Sequence, residues 1–446
     1  MIAVLEAGRS VDRLPLLADA DPARVLVWRG TQAVSAGEFL AQATALAARL
    51  PAAHYAVNLC QDRYQFLLSF CAAAIAGQTN LLPSSRAPQA IDEALASFPS
   101  SYALGDMPLA ATPPRFFALP DRLDVETAAA MPTIAPDHVV AIAFTSGSTG
   151  VPKANPKTWR SVCASSALNA AVLGAERAPN IVATVPAQHM YGLELSILLP
   201  LCSRAAVHGG HPFFPADVAL ALAQIPAPRL LVTTPFHLRA LVCEGTQLPA
   251  LDGIVTATAP LERDLAAAAE RRFATQVIEM FGSTETCVIA HRRTASDPSW
   301  QLYPNVTLQP QPDGTVVDAP HFAAPTLLQD VVELLPERRF VLRGRNSDLL
   351  EIAGKRASLG DLTKRLLTVP GVTDGVVFQL DADANGVRRL AALVVAPERQ
   401  PGEILEALRA MIDPVFLPRR LRCVAALPRN AASKLPRGEL LAALDA

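Results

Sequence analysis

The sequence is poor in charge and in aromatic rings: Asp, Glu, Lys and Arg make up 18% of it and Phe, Trp and Tyr 5%. With 51% hydrophobic residues over 446 positions, this excludes a disordered chain and provides ample core for roughly two or three domains. A net charge of −2 supplies no basic field for nucleic acid or an anionic membrane surface. No run approaches the roughly 18 uncharged apolar residues of a membrane span. Leu195–Val207 comes nearest, and Pro200 and Arg204 interrupt it, so no membrane insertion is expected. Glu6, Arg9 and Asp12 break up the N-terminus, which therefore does not read as a signal peptide. Cys60, Cys71, Cys163, Cys202, Cys243, Cys287 and Cys423 form no C-x-x-C and no Cys/His pairing. They are expected to be small buried apolar residues of a cytoplasmic protein. His54, His138, His208, His211, His237, His291 and His321 lack metal-ligand spacing and are expected to be structural or surface residues. No internal repeat is present, and the sequence does not indicate an oligomeric state.

The most informative stretch is Phe144-Thr-Ser-Gly-Ser-Thr-Gly-Val-Pro-Lys153. Val139–Phe144 has the length and β-branched content of a buried strand. Gly147 and Gly150 let the backbone turn tightly and bring N–H groups near an anion. Thr145, Ser146, Ser148 and Thr149 can donate hydroxyl hydrogen bonds to phosphate oxygens, and Lys153 adds a positive charge. Taken alone, the segment reads as a phosphate-handling loop or as a Ser/Gly surface loop. Its spacing is not that of the P-loop, since Lys153 follows Gly150 by three residues and is followed by alanine, which disfavours a P-loop kinase.

Around it, strands and helices alternate. Strands are expected at Val25–Trp28, Tyr55–Leu59, 79–82, 101–104, Ile181–Val185, Arg229–Thr233, Gly253–Thr258 and Gln276–Phe281. Helices are expected at Gly37–Leu50 (with Ser35 as N-cap), Tyr64–Gly77, 88–97, Thr158–Leu173, Pro235–Cys243 and Leu261–Phe273. This predicts an α/β fold with largely parallel sheets. Residues 107–137 read as an irregular proline-rich linker, and an apolar helix should follow the loop Pro186–Gly192. Residues 300–343 read as β-rich, with a turn at Pro312-Asp-Gly314. Beyond Arg343 the pattern changes to a small α+β domain: LLEIA, a helix at Leu359–Thr368, strands at Gly375–Leu380 and Arg389–Val395, a helix at Glu403–Ile412 and a strand at Arg420–Ala425.

Together these loops resemble the adenylate-forming superfamily of acyl- and aryl-CoA synthetases, peptide-synthetase adenylation domains and luciferases. The resemblance runs from about residue 20 to the C-terminus, with the motifs in the family's order: TSGSTGVPK (145–153), HMYG (189–192), ATAP (257–260), MFGSTE (280–285), GRNSD (344–348), LEIAGKR (350–356) and PRNAASKLPR (428–437). It departs from the family at Phe281 (tyrosine), at Gln329 (glycine, before the family's aspartate), at Ser347 (often Asp or Lys) and at Glu351 (often lysine). The chain is also shorter than most CoA ligases.

The resemblance implies a large N-terminal adenylation domain, 1–345, and a mobile C-terminal domain, 346–446, turning about a hinge at Ser347. It implies ATP, Mg²⁺ and a phosphopantetheine thiol, carried by CoA or a carrier protein. Residues 145–150 and Lys153 would hold the phosphates. Ala259, Pro260, Phe281 and Gly282 would border adenine, and Asp330 and Arg345 the ribose. Thr284 would bond the α-phosphate, Glu285 would ligate Mg²⁺, Lys434 would be the catalytic lysine and His189 would gate the acid site. Tyr191, Gly192, Leu193, Thr233, Phe236 and Thr256 would line the acid pocket, with Thr233, Thr234 or His237 available to a ring hydroxyl. The continuation Asn155-Pro-Lys-Thr-Trp159 resembles the small ligases of aryl polyene and xanthomonadin pigment clusters. That implies a hydroxybenzoate-like aromatic acid as substrate and an acyl carrier protein as partner. An aryl- or fatty-acyl-CoA ligase and a non-catalytic adenylate-binding protein are the alternatives.

Overall fold

The alternation of apolar strands with half-apolar helices commits the chain to sheets covered on both faces. In the computed structural model the chain divides into two compact units, residues 1–306 with 319–324, and residues 307–318 with 325–446. The structure describes residues 12–83, 86–107, 112–113, 115–120, 123, 130–145, 153–311, 314–345, 349–352, 355–382, 388–430 and 434–446. The predicted phosphate-loop positions Ser146, Gly147, Ser148, Thr149 and Gly150, the hinge Ser347 and most of the turn at 312–314 lie outside the described residues.

The first unit carries two sheets. One runs Lys153–Thr158, Val139–Thr145, Thr79–Leu82, Tyr55–Asn58, Ser101–Gly105, Phe116–Ala118. All its pairings are parallel except that of Lys153–Thr158, which returns antiparallel to Val139–Thr145 with Lys153 opposite Thr145. Within this unit the other sheet runs Trp300–Leu302, Cys287–Arg292, Val277–Ser283, Gly253–Thr256, Arg229–Thr233, Asn180–Ala183, Ala206–His208, Val25–Arg29, Gln32–Ser35. Its centre is parallel and its flanks are antiparallel. Val182, Leu231, Ile254, Val277, Leu222, Leu238 and Ala266 form one of its cores, between this sheet and helices Pro215–Ala223, Pro235–Cys243 and Arg263–Phe273.

The expected helices form with small shifts. Ser35 accepts from the Glu38 N–H while Glu38 bonds back to the Ser35 N–H, a reciprocal cap that starts the helix Ala36–Ala47. Several expectations need correction. Lys153–Thr158 is a strand that the sequence reading left out. Pro156 obscures it, yet a proline is tolerated there because the strand lies at a sheet edge. Residues 107–137 contain short strands at Phe116–Ala118 and Thr133–Ile134. Helical backbone begins inside the Pro186–Gly192 loop, at Met190, and runs to Cys202 through a π-helical turn at Glu194–Leu198. Cys243 is exposed and Cys423 half-buried, while the other cysteines are buried as expected.

In the second unit Thr307–Gln311, Gly314–Asp318 and Thr326–Leu328 form an antiparallel sheet, and Asp330–Leu335 pairs with Arg339–Arg345. Asp374–Ala382, Arg388–Val395 and Arg420–Cys423 form a further sheet. Leu362, Leu366, Val377, Leu390, Val394, Ile404, Leu408 and Phe416 make its core with helices Leu359–Leu367 and Pro401–Arg409.

Candidate active site

In parallel α/β sheets, ligand-binding loops collect at the carboxyl ends of the strands. Most of the predicted site residues of the first unit sit there. The strand Val277–Ser283 bulges at Phe281/Gly282 before its hairpin partner Cys287–Arg292. A Cβ on Gly282 would lie 2.1 Å from the Cys287 carbonyl oxygen, so only glycine permits this approach. The turn between them, Ser283–Thr286, is closed by its own hydroxyls. The Ser283 N–H donates to Thr286 Oγ1 at 3.1 Å, and the Thr286 N–H donates to Ser283 Oγ at 3.2 Å. Thr284 and Glu285 project from this turn, half-buried. Among the described residues neither side chain has a hydrogen-bond or ion-pair partner. A hard carboxylate with open oxygens suits Mg²⁺, which takes one or two carboxylates plus substrate phosphates. The Phe281 ring lies 5.3 Å from that of Trp300.

Below the turn is a buried polar layer that sequence reasoning missed. Lys157, 6% exposed, donates from Nζ to the Glu285 carbonyl at 2.8 Å. His321 Nε2 lies 3.3 Å from the Thr286 carbonyl oxygen. Glu194, 2% exposed, accepts from Ser165 Oγ at 2.8 Å, Asn169 Nδ2 at 3.2 Å and the Val288 N–H at 3.2 Å. Tyr303 in turn donates to Asn169 Oδ1 at 2.8 Å. Burial pushes the Glu194 carboxyl above its ordinary range. The Ser165 and Val288 bonds, the charge of Lys157 and the Asn169 bond oppose that shift. Every named partner donates to Glu194, which matches its ionised form. A sequence signal for Lys157 did exist: along Lys153–Thr158, Asn155 and Lys157 alternate inward with period two.

The acid-side residues are arranged around the ends of Asn180–Ala183, Arg229–Thr233 and Gly253–Thr256. His189 caps the helical turn Met190–Leu193 and its carbonyl accepts the Leu193 N–H at 2.7 Å. A Cβ on Gly192 would fall 2.0 Å from the Pro186 carbonyl oxygen, so this packing demands glycine. Tyr191, Leu193, Thr233 and Thr256 are buried. Phe236 is 48% exposed, its ring edge-on to His237 at 5.4 Å. Thr233 Oγ1 lies 2.9 Å from Thr184 Oγ1, and Thr234 Oγ1 lies 2.9 Å from His237 Nδ1. His237 Nε2 and Thr256 Oγ1 are buried without a partner. Burial pushes His237 and His211 down to about 4, so both are neutral near pH 7. Arg63, 1% exposed, braces this region from below. It donates to the carbonyls of Ala183 at 2.9 Å and Val185 at 2.7 Å, and to Ser196 Oγ. Desolvation lowers it to about 10, and it stays charged. In the segment predicted to border adenine, Ala259 is half-buried and Pro260 exposed, and Thr258 adopts φ 81°, a left-handed conformation rare for a β-branched residue. Thr145 ends its strand opposite the exposed Lys153.

In the second unit Asp330 begins its strand directly opposite Arg345, and its carbonyl accepts from Thr315 Oγ1 at 2.6 Å. Lys434 is exposed. Its N–H donates to Asn430 Oδ1 at 2.9 Å and its carbonyl accepts the Asn430 N–H at 2.8 Å. Arg429 anchors the approach to this loop through both oxygens of Asp374 at 2.9 Å.

The family model described as AMP-binding enzyme matches residues 18–321. The chain belongs to that family. A 4-coumarate–CoA ligase of Rhodobacter capsulatus is 30% identical over 300 residues, covering 66% of this chain and 74% of the relative. A 3-hydroxybenzoate–CoA/4-hydroxybenzoate–CoA ligase of Thauera aromatica is 25% identical over 355 residues, covering 70% of this chain and 68% of that one. The o-succinylbenzoate CoA synthetase of Bacillus subtilis, solved with its acyl-adenylate intermediate, superposes with a TM-score of 0.82 at 19% identity, covering 96% and 98% of the two chains. This AMP-binding enzyme is therefore an AMP-forming acid–thiol ligase with the mixed α/β adenylate-forming fold, and it activates its acid with ATP. Among the described residues, no helix is long and apolar enough to cross a membrane.

Proposed function

We propose that this ligase activates a hydroxybenzoate-like aromatic acid and passes it to the phosphopantetheine thiol of an acyl carrier protein in the cytoplasm, as in the pigment clusters it resembles. The observation that carries the substrate class is the buried, nearly uncharged set Tyr191, Leu193, Thr233 and Thr256, with the unpartnered His237 Nε2 and Thr256 Oγ1 as polar anchors for a ring hydroxyl. The aromatic-acid names of the two ligase relatives support it.

In the first step a carboxylate oxygen attacks the α-phosphorus of ATP, and the bond to pyrophosphate breaks. Both reactants are anionic, so donors and cations must surround the phosphorus. Thr284 bonds the α-phosphate, Lys434 bridges acid and ribose oxygens, and residues 145–150 with Lys153 hold the departing pyrophosphate. Glu285 would hold Mg²⁺, which would supply further charge neutralisation. Ala259, Pro260, Phe281 and Gly282 border adenine, and Asp330 and Arg345 hold the ribose. In the second step the thiol sulfur attacks the acyl carbon and AMP leaves. Residues 346–446 turn about Ser347 between the steps, and His189 gates the acid site.

The CoA-ligase names of the relatives favour a second reading, transfer to CoA. Purified enzyme given ATP, Mg²⁺ and 4-hydroxybenzoate is offered CoA and a phosphopantetheinylated carrier in parallel, with intact mass as the readout. Acylated carrier is the expected product. Acyl-CoA alone overturns the carrier assignment, and neither product from a panel of aromatic acids overturns the substrate class.

A further inference from the structure

The peptide groups that carry Glu285 and its neighbours are held by side chains from three separate elements. Lys157 comes from the edge strand Lys153–Thr158, Glu194 from the π-helical turn, and His321 from a segment distant in sequence. They take the Glu285 carbonyl, the Val288 N–H and the Thr286 carbonyl in turn. Burying an ammonium and a carboxylate is expensive, and apolar residues of similar size often do as well for stability. A leucine or methionine at 157 would leave the Glu285 carbonyl without its donor and the buried Glu194 without a nearby positive charge. Lys157 also lies on the strand that leaves the phosphate-loop segment, so one residue links the position of Lys153 to that of Glu285.

We propose that Lys157, supported by Glu194, is a positioning residue that fixes the main chain of the Thr284–Glu285 turn and so aims both side chains at the metal–nucleotide. This rests on Glu285 being the metal ligand, as proposed above. Residues behind metal ligands typically tune metal affinity or activity by about 10–100-fold when removed. The contact here is to the ligand's main chain, which resists rotation of the whole turn rather than of one side chain.

The test compares wild type with Lys157→Met and Lys157→Arg in the full-length protein. Mn²⁺ binding in the presence of a non-hydrolysable ATP analogue is measured by the loss of the free Mn²⁺ EPR signal, alongside the Mg²⁺ dependence of pyrophosphate exchange and the thermal midpoint. Lys157→Met should weaken Mn²⁺ binding about tenfold and raise the half-saturating Mg²⁺ by a similar factor, with KM for the acid unchanged. Lys157→Arg keeps a donor and should restore most of the affinity. If Lys157→Met lowers only the thermal midpoint while Mn²⁺ binds as in wild type, the inference is overturned. Should Lys157→Met fail to fold, Glu194→Gln serves instead: weaker Mn²⁺ binding at an unchanged thermal midpoint supports the inference, and wild-type binding overturns it. Absence of exchange in wild type with a panel of aromatic acids overturns the proposed substrate class, while the Mn²⁺ titration still decides the role of Lys157. Exchange in wild type together with unaltered Mn²⁺ affinity in the variants overturns only the role of Lys157 and Glu194.

Discussion

The Ser283–Thr286 turn and the Asn430–Lys434 loop both carry residues predicted to act on ATP, and they are built in opposite ways. The turn lies over a buried layer of Lys157, Glu194, Ser165, Asn169, His321 and Tyr303, and a bulge that admits only glycine fixes its entry. Asn430 and Lys434 are exposed, and the bonds there include two between Asn430 and Lys434 and the Arg429–Asp374 pair. The first arrangement suits groups that must be pre-organised around a phosphorus centre. The second suits a group that is delivered for one step and withdrawn for the next. On the proposed mechanism, buried charge would mark the fixed half of the chemistry and exposure the delivered half.

That contrast can be broken in several places. Lys434→Ala should reduce adenylation about 10²–10³-fold, the scale of a lost transition-state donor, while leaving the thermal midpoint unchanged because the side chain is exposed. Stopped-flow pyrophosphate release and a melting curve check both halves; a large stability loss would refute the loop's independence. Arg63→Leu should act the other way. It strips donors from the Ala183 and Val185 carbonyls and should cost about 3 kcal/mol of stability in a denaturant titration. An unchanged midpoint would show that Arg63 braces nothing.

Acidification should separate the units. Burial holds His211, His237 and His321 at about 4 in the fold, below their ordinary 6.5. Between these values the unfolded chain binds protons that the folded chain does not, so stability falls as pH drops from 6.5 toward 4. The loss is about 1.4 kcal/mol per pH unit for each histidine. All histidines and tryptophans lie in the first unit, so tryptophan fluorescence reads it selectively. A first-unit midpoint that is flat across this window would contradict the assigned burial. The smallest effect is expected from Asn430→Ala: about fivefold slower adenylation in the same stopped-flow assay, from a loosened Lys434 loop. An unchanged rate would show that the loop needs no pinning.

Much of the fold was legible because periodicity and capping are local. The helix Pro235–Cys243 and the Ser35 cap are read directly from neighbouring residues. The candidate site was legible where loops follow strands: Gly282–Glu285, His189–Gly192 and Thr256–Pro260 all lie at strand ends. Its supports were not legible, because their meaning is tertiary. Lys157 follows a proline in what reads as a loop, and only the antiparallel return of its strand turns it inward. Arg63 sits at a helix start, where an arginine normally faces water; here it points at main-chain carbonyls more than a hundred residues away in sequence. Cys243 failed in the other direction, since its helix presents that position to solvent.

These elements are proposed to activate an aromatic acid by adenylation. Exchange of labelled pyrophosphate into ATP, measured on the purified chain with and without 4-hydroxybenzoate, tests this most directly. Exchange should depend on the acid and be lost in Lys434→Ala. Exchange with none of a panel of aromatic acids, or exchange retained in that variant, would contradict the proposal.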